Sequence, residues 1–95
     1  MSPALRSLEY FLELSEAMAG AALAQDWDIL ALEGEKRIAL LKHLPANLSA
    51  ELAPDEFSRA RTIVEHCQQL DTQTRLRVET QQKALRILLR ETSDL

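Results

Sequence analysis

The chain has little of what most functional classes require. Its 95 residues include one cysteine, two glycines, three prolines, one Trp, one Tyr and two Phe. The lone Cys67 cannot close an internal disulfide, and no basic leader followed by an apolar run marks the chain for secretion. A reducing cytoplasm is therefore the expected compartment. No apolar stretch nears the roughly 18 residues that cross a bilayer, so no membrane association is expected. The formal net charge of −4 argues against a dedicated nucleic-acid binder, which needs a basic face to neutralise phosphates. Two glycines leave no phosphate-cradling loop. With 4% aromatic but 46% hydrophobic residues, Leu, Ile, Val and Ala must fill the core. That composition fits a helix bundle, and the length fits one domain over residues 1–95.

Three helices follow from punctuation and period, at about 3–24, 26–44 and 54–92. Ser2 followed by Pro3 is an N-cap and first-turn pair. After it Leu5, Leu8, Leu12, Ala19 and Ala22 recur at three-and-four spacing. Tyr10, Leu14, Ala17 and Ala21 form a second apolar strip, with Phe11 and Met18 between the two, so this helix has more apolar surface than one neighbour covers. Asp26 can cap the second helix, with Asp28 at the positive end of its dipole. Trp27, Leu30, Gly34, Ile38 and Leu41 then share a stripe that Pro45 ends. Gly34 costs about 1 kcal/mol against Ala in mid-helix; it is either simply tolerated or offset by close approach of another backbone.

A connector over 45–54 can tuck Leu48 or Leu52 against the bundle, and Pro54 suits the first turn of helix three. No proline or glycine follows, which allows a helix of about 57 Å at 1.5 Å per residue. Its seam reads Phe57, Ala60, Ile63, Val64, Cys67, Leu70, Asp71, Thr74, Val78, Gln81, Leu85, Leu88 and Leu89. The polar middle, Asp71 to Gln81, predicts looser or wetter packing, either a kink near Thr74 or exposure beyond the shorter helices. The expected architecture is all-α, an antiparallel three-helix bundle with a long third helix.

Chemistry is sparse. Cys67 falls on the apolar seam, where a thiol is buried and inert. His43 and His66 each stand alone, in neither His-Glu-x-x-His nor Glu-x-x-His spacing, so no metal, cofactor or catalytic group is expected. The chain is not read as an enzyme. Arg75, Arg77, Lys83, Arg86 and Arg90 against Glu79 give the last part of helix three a positive excess, read first as a solvated face and second as a dock for an acidic partner. Candidate partner-binding residues are Tyr10, Leu14 and Met18 on helix one, Leu85, Leu88 and Leu89 at the far end of helix three, and Leu76 with Ile87 opposite its seam. For the seam residues, core or homodimer packing is the plainer use. Glu33 and Arg37, spaced i,i+4 in the favourable order, read as a surface ion pair.

The pattern Trp27, Asp28, Leu30, Glu33, Arg37 and Leu41, followed by Ile63, Leu70 and Asp71 on a long third helix, resembles the FliT-type flagellar export chaperones over most of the chain. The resemblance implies a cytoplasmic helical protein that binds the filament-cap subunit, hook-associated protein 2, and delivers it to the export apparatus. Better-known members carry a further C-terminal helix over the binding surface. With the chain ending at Leu95, the expectation is a short form with weak autoinhibition and a doubtful role in restraining the flagellar transcriptional activator. The alternative is a coiled-coil adaptor or regulatory protein for another helical partner.

Overall fold

The computed structural model describes residues 2–93; the chain end at Leu95, on which the expectation of a missing fourth helix rests, lies outside them. Three α-helices and two short 3-10 turns make up the regular structure: α1 Pro3–Leu23, α2 Trp27–Lys42, turns at Leu48–Glu51 and Pro54–Glu56, and α3 Phe57–Ser93. No strand occurs among the described residues.

Local chemistry sets each boundary. Ser2 Oγ accepts from the Leu5 amide at 3.1 Å, and Pro3 occupies the first turn, where its missing N–H removes a donor that would lack a helical partner. At the other end of α1, Gln25 takes a positive φ of 58°. Its amide donates to Ala22 O and that of Asp26 to Ala21 O, the paired reverse bonds of a helix that stops on a left-handed residue. Asp26 then caps α2, its Oδ1 accepting from the Ile29 amide at 3.2 Å. One three-residue turn thus satisfies the end of one helix and the start of the next.

α1 is the central element and packs against both α2 and α3. Its Leu5, Leu8 and Leu12 meet Ala60, Ile63 and Cys67 of α3 in one buried cluster, flanked by Phe11, Leu48, Leu52 and Leu70. Both connector leucines therefore tuck in. Contacts climb together along α1 and α3: the Ser2 amide donates to Glu56 Oε2, Arg59 forms a two-pronged bridge to Glu9 at 2.8 and 2.9 Å, and Ala22 and Leu23 share a pocket with Leu76 and Arg77. α2 folds back along α1 and has no buried residue of its own.

One expectation needs correction. Ile38 and Leu41, assigned to the inner stripe of α2, are 56% and 51% exposed, while Glu33 and Arg37 have side chains only 16% and 20% exposed. The helix is rolled so that its charged pair lies toward α1. α3 runs as one helix from Phe57 to Ser93. Thr74 is buried there with no hydrogen-bond partner for its hydroxyl. Gly34 faces a side chain rather than a backbone, since a Cβ there would lie 3.7 Å from Met18 Cε, an ordinary contact distance.

Two outcomes follow for stability. Gln25→Gly removes the side-chain penalty of the left-handed conformation, and Gly34→Ala raises helix propensity without a clash. Each is expected to stabilise by about 0.5–1 kcal/mol in urea denaturation; destabilisation by either would contradict the geometry. Amides of Ser2 and Ala53 donate to Glu56 and hold its carboxyl below the ordinary 4.5. A depressed carboxylate contributes stability that is complete above the unfolded-state value and lost as pH falls through the folded one. The thermal midpoint of the wild type should therefore fall as pH drops below about 4.5. Glu56→Gln should melt lower at neutral pH with a shallower acid limb.

Candidate partner-binding groove

Arg37 ties the three helices together. Its Nη1 donates to Ser15 Oγ of α1 at 3.1 Å and to Asp71 Oδ1 of α3, and its guanidinium lies 5.1 Å from the centre of the Phe11 ring. Ser15, 1% exposed, donates its hydroxyl hydrogen bond to Phe11 O at 2.9 Å, so its oxygen is left to accept from Arg37. Glu33 pairs with Lys36 instead, at 3.1 Å. The expected Glu33–Arg37 surface pair is thus replaced by an interhelical one, and Asp71 explains part of the polar seam of α3.

On one side of this bridge α2 and α3 stand apart over α1, leaving an apolar groove. Leu8 and Phe11 form its floor, Leu41 and Leu44 one wall, and Ile63, Val64 and Cys67 the other, with Leu48 closing the end around about 280 Å³. A second hollow of about 490 Å³ continues it past Leu48 to Leu52 and Ala60. Leu41 and Val64, 51% and 43% exposed, are its rim. On the far side of the bridge the lining is mixed, an open space of about 680 Å³ bounded by Met18, Arg37, Asp71, Thr74, Arg75 and Gln82 among others. Arg37 thus divides an apolar half from a mixed one.

The residues expected to meet a partner are scattered. Tyr10 is 44% exposed on the outside of α1, but Leu14 is 4% exposed. The correction has a simple cause: α1 has two neighbours, and the strip carrying Leu14 is where α2 packs. Met18 lies over Gly34 at the mixed end of the groove. Leu76, 54% exposed, faces Trp27 across a separate hollow of about 220 Å³. Leu85, Leu88 and Leu89 are 48%, 57% and 69% exposed on the continuation of the α3 seam beyond α1, and Ile87, 56% exposed, lies round the helix from them. Trp27 and Leu30 are half-buried and Leu41 lines the groove. Leu44, Leu48 and Val64 were not singled out for binding; Val64 was placed on the seam of helix three and Leu48 in the connector as packing residues.

Among the described residues no group of three or more His, Cys, Asp and Glu gathers to hold a metal ion. Burial pushes the Cys67 thiol up from its ordinary value, the direction that lowers thiolate character. No helix is long and apolar enough to cross a membrane among the described residues. What remains is a small helical body with an open apolar groove, the form expected of a protein that holds a helix. The profile of the family described as "Flagellar protein FliT" matches residues 5–94. The chain belongs to the FliT family. No curated protein and no solved structure matches it. FliT proteins are flagellar export chaperones, and the Trp27-to-Leu41 pattern that resembled them holds the central bridge and one groove wall of this FliT chain.

The Arg37–Asp71 pair joins a mostly buried guanidinium to a half-exposed carboxylate. A double-mutant cycle with Arg37→Ala and Asp71→Ala should yield a coupling of about 1 kcal/mol, weakened by salt. Arg37→Ala alone should cost about 2 kcal/mol, because it also loses Ser15 and the Phe11 face. Zero coupling would mean that the bridge does not persist in solution.

Proposed function

We propose that this chain is a cytoplasmic chaperone that binds the filament-cap subunit of the flagellum, hook-associated protein 2, before export and delivers it to the type III export apparatus. The observation that carries this reading is the apolar groove between α2 and α3, floored by Leu8 and Phe11 and rimmed by Leu41 and Val64, in a chain of the FliT family. An open antiparallel three-helix arrangement of one domain serves this purpose: α1 and α3 build the core between them, so α2 stands as a wall rather than a lid. A helical segment of the cargo would lay spaced apolar anchors along the groove, shielding them from aggregation, with its polar end beside Arg37 and Arg75.

The test is calorimetric titration of the full chain with the C-terminal segment of the cognate cap protein. Saturable binding with a Kd of about micromolar or tighter is expected. Leu41→Asp and Val64→Asp, both at half-exposed positions, should weaken it at least about tenfold while leaving helicity and thermal midpoint nearly unchanged. Absence of binding at high concentration would overturn the cargo assignment, and an unidentified helical partner, the adaptor reading, would take its place. Binding that survives both substitutions would overturn the groove.

A further inference from the structure

We propose that the outer strip of α3 from Leu76 to Ile87, together with the hollow at the α1–α2 turn, docks an acidic amphipathic helix of a partner protein. Charge is divided unevenly along the chain. Residues 1–74 carry six Lys and Arg against twelve Asp and Glu, whereas residues 75–95 carry five against three. An anionic partner is therefore repelled by most of the molecule and drawn to the last part of α3. At about 100° per residue, Leu76, Thr80 and Ile87 share one strip of α3, away from the side on which Cys67 and Thr74 are buried. Arg77 flanks this strip on one side, Lys83 and Arg86 on the other, and all three are exposed.

The strip begins at a hollow that can take an anchor. Leu76, Arg77 and Thr80 meet Leu23, Gln25 and Trp27 around about 220 Å³. A cavity of about 150 Å³ already admits a benzene ring, so the hollow has room for one Leu or Phe side chain. Leu23, Leu76 and Ile87 are each more than half exposed, and Leu76 and Ile87 lie about 16 Å apart along the axis, three turns of helix. A partner helix laid on the strip would seat one apolar residue in the hollow and a second against Ile87, with its carboxylates toward Arg77 and Lys83. The same features disfavour other anionic partners. Asp26 and Asp28 share a recess with Trp27 beside the hollow. A flat anionic membrane pressed on Arg77 would be brought against both, while a helix about 10 Å wide fits beside them. Nucleic acid meets the same repulsion and finds no aromatic on α3 past Phe57 to stack on. This docking is independent of the proposed cargo, because none of its residues lines the apolar groove.

Trp27 is the only tryptophan of the chain and reports on the hollow directly. The probe is a synthetic helix without Trp, carrying Leu at the spacing of Leu76 and Ile87 and Glu on both flanks. Titrated into the full chain, it should shift Trp27 emission and saturate with a Kd of about 10–100 μM at low salt. Raising the salt from about 50 to about 300 mM should weaken it at least about fivefold. The same helix with Gln for every Glu, and vesicles of phosphatidylglycerol, should leave the emission unchanged. Arg77→Glu combined with Lys83→Glu should abolish the shift with an unchanged thermal midpoint, since no residue of the buried core lies beyond Thr74, whereas Leu41→Asp in the groove should leave it intact. No shift with the Glu helix, an equal shift with the Gln helix, binding that survives the double charge reversal, or loss with Leu41→Asp would each overturn the proposal. A shift with the vesicles as large as with the helix would put a membrane surface in place of the partner protein.

Discussion

The bridge from Arg37 to Asp71 and Ser15 is the interaction on which the arrangement of α2 depends. α2 contributes no buried residue, so apolar burial alone gives it little reason to hold one orientation. A guanidinium that is four-fifths covered, resting on the Phe11 ring and bonded to α1 and α3, supplies that orientation instead. Directional hydrogen bonds to charge fix rotation about the helix axis in a way that non-directional packing does not. The same bridge spans the gap between α2 and α3 at one level and leaves the rest of the gap open.

The proposed function rests on that opening. The buried cluster around Ile63 lies between α1 and α3 and is formed without side chains of α2. α2 can therefore serve as a groove wall, with Leu41 and Leu44 turned toward Val64 and Cys67 rather than sunk between helices. An export chaperone must offer apolar surface to its cargo without exposing its own core, and this division of labour meets both needs. The charged bridge also grades the groove from apolar to mixed along its length, which would favour one direction for a bound helix.

Much of the local structure was legible in the sequence. Ser2 and Asp26 mark helix starts through capping, and the structure uses both, while Pro54, expected in the first turn of helix three, opens a short 3-10 turn ahead of α3. Cys67 and Ile63 lie on the apolar period of α3 and are buried, and Leu48 and Leu52 pack against the core from an irregular connector. The errors fall where a helix has apolar residues on more than one side. Leu14 reads as surplus until α2 covers it. Ile38 and Leu41 read as core, yet Ile38 is exposed and Leu41 lines the open groove. Periodicity identifies an apolar side but cannot rank two of them, because the ranking depends on which neighbour arrives.

By itself, the sequence determined the helical class, the places where helices begin, the inert cysteine and the resemblance to FliT chaperones. These rest on interactions within a few residues: caps, propensity, and a period that needs no partner to be visible. Tertiary structure alone decided the rotation of α2, the burial of Leu14 and the existence of the groove. The reason is visible in Arg37. Its spacing from Glu33 favours a local pair, yet its salt-bridge partner lies 34 residues away on α3. The choice between the two is made by the packing of α1 and α3, which brings Ser15, Phe11 and Asp71 together around one guanidinium.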